Sequence, residues 1–204
     1  MGRTSDSRQR LMGAAHELIW SYSYGSVTIE AICDRAKVKK GSFYYFFDSK
    51  SDLAFAAISA WWVERKELVA TIVPPEASHL SRVLKYLEFA VNNQLEIYKE
   101  TGRILGCPLF TLGSEICTQD ERLNSIIQEI LTHGAGLFEL AIREAQASGE
   151  AAGSNPEAKG RLLWAYYEGT LTRARIENNP GLLSHLIPDS LELIGVRPRL
   201  AEVA

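Results

Sequence analysis

Lys37, Lys39 and Lys40 stand just ahead of Gly41, Ser42, Tyr44 and Tyr45. Ammonium groups of this density suit phosphate. A glycine lets a backbone approach a partner closely, and the three hydroxyls can bond phosphate oxygens or base edges. Thr28, twelve residues before Lys40, presents a hydroxyl at a helix start, and Lys50 begins the following helix. A second candidate chemistry belongs to Cys107, in Gly106-Cys107-Pro108. Proline favours the first helical position, so Cys107 is predicted to be the N-cap of a helix. A thiol there is pushed toward thiolate by the helix dipole, and such a thiol reacts with electrophiles and oxidants. The plainer reading is a small, inert, buried cap.

These residues need helices to hold them. The apolar spacing predicts nine, over about 5–24, 29–36, 41–47, 50–73, 79–99, 108–116, 120–148, 157–178 and 182–195. No stretch alternates long enough for a sheet, so the fold class is all-α. Gly25 is expected to end the first helix, Thr28 to cap the second and Ser49 the fourth. The fourth is expected to stop before Pro74-Pro75, and the chain after Pro198 to fray. Phe43 and Phe47, four apart, should face inward. Adjacent Tyr44 and Tyr45 cannot both do so. Cys33 reads as a small buried side chain. Two short helices joined by a basic turn and packed on a longer one make a helix-turn-helix, whose second helix enters the major groove. The expected division is a DNA-binding head at 1–50 and a helical body at 51–204.

Charge supports that division. The whole chain is −3, but residues 1–50 hold eight Lys/Arg and five Asp/Glu (8 − 5 = +3). Residues 51–204 hold fourteen and twenty (14 − 20 = −6). A basic head on an acidic body is expected where only the head meets an anionic partner. Ordinary globular composition, 46% apolar and 23% charged, argues against disorder. No apolar run reaches membrane-spanning length, the start lacks a signal-peptide core, and Asp6 spoils a myristoylation signal. A cytoplasmic protein is therefore expected. Three cysteines, Cys33, Cys107 and Cys117, cannot build a disulfide framework, and no zinc pattern appears. No metal or cofactor is expected.

The run TIEAICDRAKVKKGSFYYFFDSKSDL, residues 28–53, resembles the DNA-binding signature of the tetracycline-repressor (TetR) family of bacterial regulators. The match includes Thr28, the small Ala31, the Gly-Ser-Phe-Tyr-Tyr-Phe-Phe run and the Ser-Lys pair at 49–50. The resemblance implies that Thr28, Tyr44 and Lys50 contact phosphates or bases. It also implies that Lys39, Lys40, Ser42 and Tyr45 face the groove. Phe46 departs from it: many members carry Tyr or His there, and Phe46 offers only apolar contact. GCPLFTLGSEI, residues 106–116, looks like a Gly-Cys segment of one branch, some of whose members respond to electrophiles or acyl-type molecules.

The body is expected to supply a dimer surface and a ligand cavity. The 120–148 helix shows a seam of Leu123, Ile127, Ile130, Gly134, Leu137, Ala141 and Ala145. The 157–178 helix is apolar nearly all round, so burial on several sides is expected. The resemblance implies that the last two helices of each subunit form a four-helix dimer interface. A two-fold dimer requires a near-palindromic operator with half-sites about one helical turn, ~34 Å, apart. The resemblance implies that the effector moves the fourth helix and changes the separation of the recognition helices. Candidate ligand residues are Trp61, Phe89, Gln94, Cys107, Phe110 and Trp164. Gln94 falls near the centre of the apolar stripe of the 79–99 helix, where a buried amide needs partners and a ligand could be one. Arg65 reads as a guanidinium reaching solvent along its stem, and His133 as an ordinary histidine at its helix's edge.

The function expected is a ligand-responsive transcriptional regulator, a repressor released by a small molecule or electrophile. Two other classes compete with it. An enzyme lacks support, since no Gly-rich phosphate loop, H-E-x-x-H, G-x-S-x-G or paired acidic motif occurs. A helical protein-binding or architectural module with non-specific DNA affinity is the alternative, distinguished by the salt dependence and selectivity of binding.

Overall fold

The computed structural model describes residues 2–72 and 76–196, with side chains from Asp6 onward. The helices are α1 (Gly2–Ser21), α2 (Ile29–Ala36), α3 (Lys40–Phe46), α4 (Lys50–Ile72), α5 (His79–Thr101), α6 (Pro108–Ile116), α7 (Glu121–Ala147), α8 (Pro156–Glu177) and α9 (Leu186–Ile194), with a 3-10 turn over Pro180–His185. The architecture is all-α; the described residues contain no strand, only an isolated bridge between Ala151 and Val196. Pro74-Pro75 and the chain after Pro198 lie outside the described residues.

Local signals account for most ends. Thr28 accepts the Ala31 N–H at 3.1 Å and Ser49 the Asp52 N–H at 3.0 Å, so both cap as expected. Cys107 is the N-cap of α6 with Pro108 following, though its thiol makes no capping bond. Asn155 caps α8 through the Ala158 N–H, and Asn178 closes it in the left-handed region.

Three expectations differ from the structure. First, α1 ends at Ser21, and Gly25 does not take the left-handed φ of a helix-ending glycine. Gly25 instead lies in the turn before α2 and gives its N–H to the Glu115 carboxylate at 2.9 Å. Second, the final helix is two elements. Pro188 has no N–H for the Ser184 carbonyl, and its ring crowds that carbonyl, so an α-helix cannot run through 182–188. The chain coils as a 3-10 turn and becomes α-helical at Leu186. Third, the α7 seam passes through Phe138, which is buried, while Leu137 is exposed. The buried run is Ile130, Gly134, Phe138, Ala141 and Ala145, which keeps the steps of a straight helix.

By its contacts the chain forms two compact units. The first contains the residues up to Leu68 with Cys107–Ile130, so α6 and the start of α7 belong with the head. Its core includes Leu11, Ile32, Phe43, Leu53 and Leu123. The second contains Val69–Gly106 and the residues from Leu131 on. Its core includes Leu87, Ile142, Leu163, Leu171, Leu183 and Leu186.

Candidate nucleic-acid interface and effector region

In the first unit, α3 turns two residue sets in opposite directions. Phe43 and Phe47 are buried, with ring centroids 5.9 Å apart. Lys39, Lys40, Gly41, Ser42, Tyr44 and Tyr45 are all exposed; Tyr44 is 53% and Tyr45 75% accessible. Two adjacent exposed tyrosines on a seven-residue helix are not packing residues. Gly41 has nothing within 4 Å of where a Cβ would sit, so the protein's own packing does not require a glycine there. Phe46 is half-buried, its ring edge-on to Tyr45.

The turn leading into α3 is held from α1. Lys37 closes α2 with φ +55°, and Arg10 donates to the Ala36 and Lys37 carbonyls at 3.1 and 3.4 Å. Arg35 pairs with Glu17 at 2.8 Å. The Lys40 ammonium is ion-paired with Glu30 on α2. Lys40's hydrogen bond and charge hold the Glu30 carboxyl below its usual range, and Glu30 raises Lys40 in return. Both groups are exposed, so the pair is weak and exchangeable.

Lys50 is engaged within the head. Its ammonium donates to the Tyr24 carbonyl at 2.7 Å and the Val27 carbonyl at 2.8 Å. It also lies 4.3 Å from the Tyr24 ring centroid. An ammonium has three protons, and two of them already go to the turn before Thr28. Partial burial lowers its pKa, with Glu115 acting in the opposite direction. The structure makes Lys50 an internal brace of the head.

Sequence reasoning missed the braces from α6 and α7. Glu115 accepts the N–H groups of Tyr24 and Gly25 at 3.1 and 2.9 Å. Asp120 accepts the Leu123 N–H and is bonded by the Ser51 hydroxyl. Arg122 pairs with Asp52 at 3.3 Å and lies over the Phe55 ring. No periodicity or short motif marks such contacts, because each joins residues far apart in the chain.

The six candidate ligand residues divide between the units. Trp61, Cys107 and Phe110 are in the first, and Phe89, Gln94 and Trp164 in the second. Trp61 stacks on His16 at 5.8 Å, and the Arg65 guanidinium lies over the Trp61 ring, 5.1 Å from its centroid. Burial, and then the Arg65 charge, lowers the His16 pKa to about 4. Cys107 is buried and Phe110 exposed. Burial raises the other two thiols, Cys33 and Cys117.

Gln94 is buried at the centre of its stripe, as the spacing implies, but its amide is engaged by the chain itself. Its Oε1 accepts the Leu105 and Gly106 N–H groups at 3.0 and 2.8 Å, and its Nε2 donates to the Gly106 carbonyl at 3.1 Å. The candidate ligand amide is thus a clamp on the segment before α6. The same segment receives Arg175, which donates to the Leu105 carbonyl at 2.6 Å. Gly106, at φ +67°, would place a Cβ 3.2 Å from the Leu171 carbonyl oxygen.

Trp164 is half-buried in an aromatic cluster with Phe138 and Tyr167, at 5.2 and 5.4 Å between ring centroids. Tyr86, not singled out from the sequence, packs against Phe138 and Tyr167; its hydroxyl is 3.4 Å from that of Tyr167. Gly134 makes the cluster possible, since a Cβ there would lie 2.3 Å from the Trp164 ring. Among the described residues no group of His, Cys, Asp or Glu could hold a metal, and no helix is long and apolar enough to cross a membrane.

This arrangement can be compared with known proteins. Residues 11–57 match the family model for bacterial regulatory proteins of the tetR family, and residues 83–188 match the tetracyclin repressor-like C-terminal domain. The chain belongs to the TetR family. This TetR-family chain is 28% identical to the transcriptional regulator AcuR of Cereibacter sphaeroides over 176 residues, covering 85% of this chain and 78% of that protein. It is 22% identical to the transcriptional repressor NemR of Escherichia coli over 181 residues, covering 85% and 86%. Among solved structures, a regulatory protein TetR from Rhodobacter sphaeroides superposes with a TM-score of 0.80 at 26% identity, covering 92% of this chain and 98% of that one. A TetR-family regulator from Agrobacterium tumefaciens gives 0.84 at 17% identity, covering 95% and 100%, which is likeness of fold. The reduced form of E. coli NemR gives 0.76 at 20% identity, covering 94% and 100%. The TetR-family chain is thus a DNA-binding transcriptional regulator with a helix-turn-helix head, and not an enzyme.

Proposed function

We propose that the chain is a dimeric, ligand-responsive repressor, with residues 1–50 reading a near-palindromic operator and residues 51–204 supplying the dimer and effector surfaces. The observation that carries the reading is the exposed polar face of α3 above a buried Phe43 and Phe47. In this role Lys39 and Lys40 meet phosphates, Lys40 exchanging Glu30 for DNA. Ser42, Tyr44 and Tyr45 contact bases or phosphates, Gly41 admits the DNA backbone, and Thr28 offers a hydroxyl from the start of α2. A regulator of genomic DNA works in the cytoplasm.

Dimer formation is supported by the outer face of α8. Leu162, Ala165, Gly169, Thr172 and Ile176 follow one another at three- and four-residue steps. Leu162 is 56% and Ile176 79% exposed, while Ala165 and Gly169 between them are small and exposed. Two large apolar ends around a small-residue centre suit close crossing by a second copy of the helix. Leu193 of α9 is exposed as well.

The effector surface is assigned to the aromatic cluster of Tyr86, Phe138, Trp164 and Tyr167, where packed rings carry two hydroxyls and the indole N–H. Cys107 is the proposed sensing thiol, held at the N-terminus of α6. That the NemR structure is described as a reduced form fits a redox-responsive relative.

The test is a fluorescence-anisotropy titration against the promoter fragment upstream of the chain's own gene, beside a scrambled duplex, at two salt concentrations. Tight, salt-sensitive binding selective for the promoter is expected, and Tyr44→Ala should weaken it while leaving the melting temperature unchanged. Equal, weak binding to both duplexes would favour an architectural module.

A further inference from the structure

We propose that Glu115, on α6, is a positioning residue of the DNA-reading head. It acts with Lys50 to clamp the turn between α1 and α2 from both sides and so to set where Thr28 and α2 meet DNA. The inference rests on the DNA-reading role of the head. The turn covers residues 22–27 and leads directly into Thr28, the N-cap of α2. Two of its N–H groups go to Glu115: Tyr24 to Oε1 at 3.1 Å and Gly25 to Oε2 at 2.9 Å. Two of its carbonyls go to Lys50: Tyr24 at 2.7 Å and Val27 at 2.8 Å.

Tyr24 is therefore held through both its N–H and its C=O, by opposite charges from two different helices. Charge-assisted bonds of this kind are the stronger class, and both carboxylate oxygens are used. The remaining bonds within the turn are weaker. Ser23 and Ser26 bond through exposed hydroxyls, and the Val27 N–H reaches the Ser23 carbonyl at 3.3 Å. The buried Val27 side chain and the Tyr24–Ser51 hydrogen bond anchor the turn's side chains, while the clamp holds its backbone, from which Thr28 takes its position.

Three roles for this pair make different predictions. If Lys50 were a phosphate contact, its removal would lower the salt slope of DNA binding by about 0.9. If Glu115 were only a surface carboxylate on a DNA-binding head, its removal would strengthen binding to any duplex, because a repulsive charge is lost. A clamp predicts weaker promoter binding when Glu115 is removed and no slope change when Lys50 is removed.

The experiment uses the full chain with Glu115→Gln and Lys50→Met. Glutamine keeps the shape but sets an amide NH2 against one of the two N–H groups. Amide hydrogen exchange is followed across residues 22–28, with α8 as an internal control. Binding is measured to the promoter fragment and to a scrambled duplex over a series of salt concentrations. In Glu115→Gln, faster exchange confined to Tyr24 and Gly25 is expected, with promoter affinity down roughly ten-fold and scrambled-duplex affinity unchanged or higher. In Lys50→Met, a similar loss of promoter affinity with an unchanged salt slope is expected. A residue needed only for folding would lower both affinities together with the folded fraction. Promoter binding by Glu115→Gln equal to or tighter than the parent overturns the proposal. Should the parent chain not distinguish the two duplexes, the DNA-reading role fails and exchange decides the clamp. Unchanged protection at Tyr24 and Gly25 in Glu115→Gln then overturns it.

Discussion

Ile176 tests the dimer directly. It is 79% exposed on α8, at the end of the row that begins with Leu162. Ile176→Ala removes three carbons, each contributing about 0.8 kcal/mol when buried. Scaled by the exposed fraction still available for covering, the loss is about 2 kcal/mol per copy. Two-fold symmetry counts each substitution twice, giving about 4 kcal/mol per dimer. At about 1.4 kcal/mol per decade, the dimer dissociation constant should rise several hundred-fold. Sedimentation velocity over a dilution series reads this as monomer appearing at concentrations where the parent stays dimeric. The secondary structure should not change, because the side chain contributes little to its own subunit's core. An Ile176→Ala protein that dimerises like the parent would refute the assignment of this face. A parent chain that is monomeric throughout would refute it more directly.

Gly160 lies where α8 meets α7: a Cβ there would stand 2.7 Å from the Glu139 N and Cα atoms. Backbone cannot rotate away, so Gly160→Ala should destabilise by about 1–3 kcal/mol despite alanine's better helix propensity. Gly136→Ala, on the open side of α7, should raise the melting temperature, and a rise in both variants would show that the helices are not in contact at Gly160. His16 gives a pH dependence. Unfolded, its ring protonates below about 6.5, but folded only near 4, so its stabilising contribution is complete above pH 6.5 and is lost as pH falls toward 4. The loss approaches about 3 kcal/mol, and chemical denaturation of His16→Gln should show a flatter slope across that window; equal slopes would contradict the burial argument. Cys107→Ser should remove any release of DNA by N-ethylmaleimide, and a variant that still releases would eliminate the thiol as sensor.

What could be read from the sequence was what is local. Thr28 caps α2 and Pro108 opens α6, and the starts of both helices follow from residues within one turn of those positions. The two faces of α3 follow from the spacing of Phe43 and Phe47. The end of α1 was misjudged because a glycine after an apolar helix has two uses. Gly25 could have turned left-handed to satisfy α1, but it satisfies a carboxylate 90 positions away. Gln94 shows the same limit. The stripe correctly implied burial, but only the fold reveals that its partners are the amides of Leu105 and Gly106. Pro188 sets the start of α9: standing in its first turn, it disfavours the earlier start that the leucine spacing suggests.

Among the polar and charged residues of the head are two groups, and the division between them bears on how an effector could act. Lys39, Ser42, Tyr44 and Tyr45 face solvent. Arg10, Lys50 and Glu115 bind backbone groups at the two ends of α2. The second group fixes the first in space. Glu115 sits eight positions after Cys107, about 12 Å along one helix. A rigid helix passes a displacement at one end to the other, and the bond from Gly25 is 2.9 Å long. A shift of about 1 Å would already take it past hydrogen-bonding range. The coupling this can transmit is bounded by the two bonds it breaks, about 3–6 kcal/mol at 1.5–3 kcal/mol for each bond to a charged acceptor. That corresponds to roughly two to four orders of magnitude in operator affinity. An effector response much larger than this cannot run through Glu115 alone. In Glu115→Gln a response of that size would persist, whereas one within the bound would be largely lost.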